Sequence, residues 1–128
     1  MAIPQYGTAE FTTAVDAAFV DLKSQFRAAA EKFGKPWPPD FGEDAALHNA
    51  WVRIKKAEQA ARGVRSVADG GVKAAEQYNS ADLKAAFDRL DELLEAAYRV
   101  ELSEKYSEAK LNITFARSDL NAALNLTL

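Results

Sequence analysis

The sequence predicts an all-α fold, an antiparallel helical bundle with two ~25-residue helices and a long C-terminal helix. Three observations support this. Apolar residues recur at steps of three and four through most of the chain, the spacing of one helix face. Alanine makes up about a fifth of the residues, while strand-favouring Ile, Val and Thr are sparse. No glycine or proline occurs after Gly71.

The first helix reads over residues 9–33. Its stripe is Phe11, Val15, Ala18, Phe19, Leu22, Phe26, Ala29, Ala30 and Phe33. Thr8 or Thr13 supplies the N-cap, the latter with Asp16 at capping-box-like spacing, and Gly34 supplies the stop. Residues 34–42, with three prolines, form a stiff loop. Trp37 and Phe41 are expected to fold back as a lid on one end of the bundle. The second helix reads over about 43–68, with Asp40 and Glu43 at capping-box spacing and a stripe of Leu47, Trp51, Ile54, Ala57, Ala61, Val64 and Ala68. Gly63 weakens it or ends it early. Asp69-Gly70-Gly71 reads as a turn, and residues 72–78 as a short helical lead-in. Asn79, paired with Asp82, caps the long C-terminal segment.

From Leu83 the stripe runs unbroken through Phe87, Leu90, Leu94, Tyr98, Leu102, Tyr106, Ala109, Ile113, Ala116, Leu120 and Leu124. As one helix, residues 81–125 span about 67 Å at 1.5 Å per residue. The upstream helices reach only about 37–39 Å by the same rule. A distal half left in water would forfeit roughly 7–15 kcal/mol, the whole stability of a typical domain. Two solutions exist. Either the helix is continuous and its distal half packs on another subunit, or it breaks near 103–107 to give an up-down four-helix bundle. The continuous helix is favoured, because other sharp turns in this chain carry Gly or Pro and this point carries neither. Leu102, Tyr106, Ile113, Leu120, Leu124 and Leu128 then form an oligomer interface.

A chain of 128 residues is expected to be one domain, 1–128. It has no cysteine, which excludes disulfides and Cys-ligated metals. The first residues lack the basic and apolar regions of a secretory signal, and no run approaches a membrane span. The expected location is cytoplasmic, with incorporation into a particle compatible with it.

The residues offer little catalytic chemistry. The lone histidine, His48, reads as a solvated surface residue; with Asp44 at i and i+4 it supplies two ligands at most, short of a metal site. The carboxylates Asp88, Asp91, Glu92, Glu95, Glu101, Glu104 and Glu108 alternate with bases and read as a salt-bridged face, with Glu101 and Lys105 paired. No catalytic residue, metal or cofactor is expected. Charge is uneven: a basic stretch over 53–73 and an acidic third segment imply that helix two lies beside the acidic helix.

The expected function is therefore a non-enzymatic structural or assembly protein. It would be a homo-oligomer, as ring, filament, shell, virion component or adaptor, built by coiled-coil-like packing of its C-terminal helix. One alternative is a nucleic-acid-associated protein using Arg53, Lys55, Lys56, Arg62 and Arg65 as phosphate contacts. Another is a four-helix bundle that binds a small ligand or acts as an enzyme, which requires polar residues facing inward. Membrane-surface binding by the aromatic first helix is disfavoured, since packed cores use the same residues.

Overall fold

The computed structural model describes residues 3–65 and 72–128. It is an all-α bundle of four helices: α1 (Ala9–Lys32), α2 (Ala45–Arg62), α3 (Ser80–Glu101) and α4 (Glu104–Leu124). No helix of the described residues is long and apolar enough to cross a membrane.

Each helix begins and ends for local reasons. Thr8 caps α1 by accepting the Phe11 N–H at 3.2 Å. At its far end Gly34 sits at φ +71°, and the Lys35 N–H reaches back to the Ala30 carbonyl at 2.9 Å, a Schellman closure. Asp44, not Asp40, caps α2, accepting the Leu47 N–H; Asp40 instead turns the loop by accepting the Gly42 N–H at 2.6 Å. Gly63, at φ +67°, ends α2 at Arg62, six residues short of the expected limit at 68; Ala68 and the expected turn at Asp69-Gly70-Gly71 lie outside the described residues. Asn79 caps α3 through the Ala81 and Asp82 N–H groups.

The expected long C-terminal helix is not continuous. It reverses at Leu102 and Ser103, which gives the four-helix alternative. Leu102 takes the left-handed conformation, φ 51° and ψ 32°, that glycine usually supplies. For a leucine this costs ~1–2 kcal/mol. The side chain gains nothing in return within this chain, being 70 % exposed. Ser103 makes no side-chain cap. The gain lies downstream: Tyr106, Ala109, Ile113, Ala116, Leu120 and Leu124 are all buried. At about 1.5–3 kcal/mol for each large side chain, that burial outweighs the strained turn several-fold.

Contacts along the helices give the topology. Tyr6 meets Glu101 and Phe33 meets Tyr78, so α1 and α3 are antiparallel. Glu95 meets Lys110, and Asp91 meets Arg117, so α3 and α4 are antiparallel. Arg53 meets Asp119, and Lys56 lies near Glu108, so α2 and α4 are antiparallel. Asp16 meets Arg62, and Phe26 meets Trp51, so α1 and α2 are antiparallel as well. The helices therefore run up, down, down, up, with α2 diagonal to α3, and not in the expected up-down order. A crossover must return the chain from the foot of α2 to the head of α3. This explains why residues 72–78 are not the expected helical lead-in. A helix gains only 1.5 Å per residue against ~3.3 Å when extended. The irregular segment is pinned to α1 by Ala75 N–H donating to Ser24 O at 3.1 Å and by Arg27 donating to Val72 O at 2.6 Å.

The proline loop places Trp37 as a lid, its ring 4.7 Å from Trp51 and 6.1 Å from Phe26. Phe41 does not share that role. It is exposed and lies edge-on to His48 at 5.5 Å.

Replacing Leu102 by Asn, which tolerates the left-handed region, is expected to raise stability by about 1 kcal/mol. The measurement is urea unfolding followed by helical circular dichroism. A lower midpoint would show that the turn carries no strain.

Candidate functional site

The residues expected to form an oligomer interface fall mostly inside the protomer. Tyr106, Ile113, Leu120 and Leu124 are core residues, and Leu128 packs against the core from the C-terminal tail. Only Leu102 is left facing solvent. The stripe is apolar because it is buried, but its partners are α2 and α3 of the same chain.

The basic residues of α2 do not converge either. Arg53 reaches Asp119 at 3.3 Å and lies over the Phe115 ring at 4.8 Å, both on α4. Lys56 borders a shallow groove with Glu108 and Asn112. Arg62 points the other way, to Asp16 of α1 at 3.0 Å. Arg65 is exposed beyond the helix, and Lys55 is half-buried and engaged within the protein.

The expected packing of basic α2 on acidic α3 is replaced by a different pairing. α3 is neutralised mainly by α4: Arg117 bridges Asp88 at 3.0 Å and Asp91 at 3.1 Å, and Lys110 holds Glu95. The expected Glu101–Lys105 pair does not form, because the turn at Leu102 destroys the i, i+4 geometry. Glu101 accepts instead from the Tyr6 hydroxyl. That bond raises the phenol's pKa well above its ordinary value, so the proton stays on Tyr6. Lys105 lies over the Tyr106 ring at 4.9 Å.

Among the described residues two charged side chains, Glu58 and Lys23, enter the interior. Glu58 is 1 % exposed. One carboxylate oxygen lies 2.7 Å from the Lys23 ammonium, and the other accepts from Arg62 at 2.8 Å. Lys23 is also buried. This cluster ties α1 to α2 where those helices otherwise touch lightly. Beside it opens a concavity of about 410 Å³ lined by Tyr6, Thr12, Asp16, Arg62, Lys105 and Tyr106. Both oxygens of Glu58 face cations, Oε2 in a hydrogen-bonded pair with Arg62 and Oε1 in an ion pair with Lys23 that lacks hydrogen-bond alignment, so the cluster works as a structural clasp. Asp44 is spent as a cap and on Lys35 at 3.0 Å. His48 is half-buried beside Phe41 rather than solvated. Among the described residues no group of three or more metal-ligating side chains gathers.

The surface that stands out is the outward face of α4. Ser107, Leu111, Thr114, Phe115, Ser118 and Ala122 are all exposed. Leu111 is 55 % and Phe115 44 % exposed. The neighbouring charges Lys110, Arg117 and Asp119 are turned aside into ion pairs with α3 and α2. The result is an outer face that presents no charge from Leu111 to Ala122, with Glu104 and Glu108 exposed only toward its N-terminal end. Periodicity in the sequence does not reveal this face, because serine, threonine and alanine do not register as a stripe. The available signal is negative: no charged residue among these six positions at steps of three and four.

Comparison with protein-family models, curated protein sequences and solved structures yields no match for this chain.

Two outcomes test the electrostatics. Glu58→Ala strands a buried lysine and is expected to cost about 3–5 kcal/mol in urea unfolding. The double variant Lys23→Met with Glu58→Leu should recover most of that loss; no recovery would show that the pair is not the source. The second outcome concerns acid. Burial pushes the Asp44 carboxyl up, but the Leu47 N–H and Lys35 bring it below its ordinary value. Lys84 and then Arg117 lower Asp88, against its desolvation; Lys110 and Arg99 lower Glu95. Each lowered group stabilises the fold above its unfolded value, near 3.9 for Asp and 4.3 for Glu. That contribution is lost as pH falls through the folded value. Asp91 opposes them, raised by desolvation despite Arg117, so its ionisation costs stability as pH rises. With three groups against one, the urea midpoint should fall as pH drops below about 4. A midpoint that rises on acidification would contradict this assignment.

Proposed function

We propose that this chain is a non-enzymatic helical building block that associates with itself through α4. The observation that carries the reading is the uncharged, partly apolar stretch from Leu111 to Ala122 on the outer face of α4, on a protomer whose core is already complete. Scattered exposed apolar residues need no explanation, but a contiguous face marks a contact surface. Among the described residues eight large apolar side chains are exposed, and two of them, Leu111 and Phe115, lie on this face of α4. The reading also agrees with the interior, where the buried carboxylate is committed to Lys23 and Arg62. It keeps the expectation of a homo-oligomeric structural or adaptor subunit and changes the means. The inward stripe of α4 builds the protomer, and the outward face is left for a neighbour.

Size-exclusion chromatography with light scattering, from micromolar to millimolar protein, tests this. Mass should rise with concentration and fall on dilution. A monomeric mass across the whole range would sink the reading.

A further inference from the structure

The outer face of α4 has an internal symmetry. Its six uncharged exposed positions pair about a point between Thr114 and Phe115: Ser107 with Ala122, Leu111 with Ser118, and Thr114 with Phe115. We propose that α4 packs against α4 of a second copy in antiparallel register, with the two-fold axis passing between Thr114 and Phe115. This rests on the self-association reading above and specifies its interface.

Three arguments select this occupant and this register. The first is shape. Antiparallel pairing sets Leu111 against the smaller Ser118 of the partner subunit, and Ser107 against the partner's Ala122. At the axis Phe115 meets the partner's Phe115 on the α2 side, and Thr114 meets the partner's Thr114 on the α3 side. Large facing small lets two helices interdigitate. A groove of about 280 Å³ between α3 and α4, lined by Tyr98, Ser107, Lys110, Leu111 and Thr114, gives the incoming side chains room.

The second is charge. The outer face carries charge only toward its N-terminal end, at Glu104 and Glu108, both exposed. Antiparallel pairing brings these acids beside the amides Asn125 and Asn121 of the partner subunit, and opposes the two helix dipoles favourably. A parallel pair would stack each glutamate on its own copy. A strongly charged partner would find no counter-charge on the central stretch, because Lys110, Arg117 and Asp119 are already neutralised by Glu95, Asp91 and Arg53.

The third is area. From Ser107 to Ala122 the face is about 22 Å long at 1.5 Å per residue. One helix pair of that length falls below the roughly 1,200–2,000 Å² buried in stable complexes. The contact is therefore reversible, in keeping with a protomer that has its own core.

The absence of cysteine makes the test direct, since any disulfide must come from the introduced residue. Thr114→Cys should crosslink to itself under mild oxidation. Ser107→Cys should not, because its copies lie about 22 Å apart along the axis, beyond disulfide reach. Mixing Ser107→Cys with Ala122→Cys should give crosslinked heterodimers. Leu111→Glu should weaken association at least tenfold, with helical circular dichroism unchanged. Self-crosslinking of Ser107→Cys as efficient as that of Thr114→Cys would overturn the register. Oligomers that persist in Leu111→Glu, with no Thr114→Cys crosslink, would overturn this face while leaving self-association standing. A monomer at every concentration, with no crosslink, would overturn both.

Discussion

The fold depends on one reversal. Leu102 accepts a left-handed backbone so that α4 can turn back between α2 and α3. Without that turn, Ile113, Ala116 and Leu120 would have no partners in the chain, and the apolar faces of α2 and α3 would be left half covered. The exchange is lopsided. A local penalty of ~1–2 kcal/mol is set against six buried positions on α4 and their counterparts opposite. Tertiary burial decides, and a helix propensity that favours continuity at 101–105 is overridden.

The same reversal organises the charges. By folding α4 onto α3 it brings Lys110 and Arg117 to the acids at 88, 91 and 95. α2, placed across the bundle from α3, finds its acids on α1 and α4 instead. Most of these pairs are partly exposed, and each contributes little on its own. Their consequence is geometric. They draw Lys110, Arg117 and Asp119 of α4 sideways, and this leaves the central stretch of its outer face neutral. The buried Lys23–Glu58–Arg62 cluster is of another kind, because removing one partner leaves an uncompensated charge in the interior.

Much of this architecture is legible in the residues. The stripes of α1 from Phe11 to Ala30, of α2 from Leu47 to Ala57 and of α3 from Leu83 to Leu94 are buried as expected, although Phe33 and Val64, expected on the stripes, are exposed beyond the helix ends. The caps at Thr8 and Asn79 and the stop at Gly34 form. These features depend on local spacing and local hydrogen bonds. The break at Leu102 is not legible in the same way, because leucine carries no turn signal and its strain is offset only by contacts far away in sequence. The crossover at 72–79 is hidden for a related reason: its extended form answers to where α3 must begin, and Val72-Lys73-Ala74-Ala75 has no strand pattern. The residues expected at an interface show the limit most clearly. Periodicity identifies a face that must be buried, but it does not say whether the cover comes from the same chain or another.

A helix that buries one face and leaves the centre of the other uncharged has a different relation to its surroundings from an ordinary surface helix. On α3 the exposed positions include Lys84, Glu92 and Arg99, which hold water and resist association. On α4 the corresponding positions are Ser107, Leu111, Thr114, Ser118 and Ala122, with nothing at the centre to repel an identical helix. The protomer core is closed without this face, so a contact made there adds to a folded unit and does not complete an unfinished one. Such a contact can therefore be tuned by concentration without costing the protomer its fold, which is the behaviour a reversible building block requires.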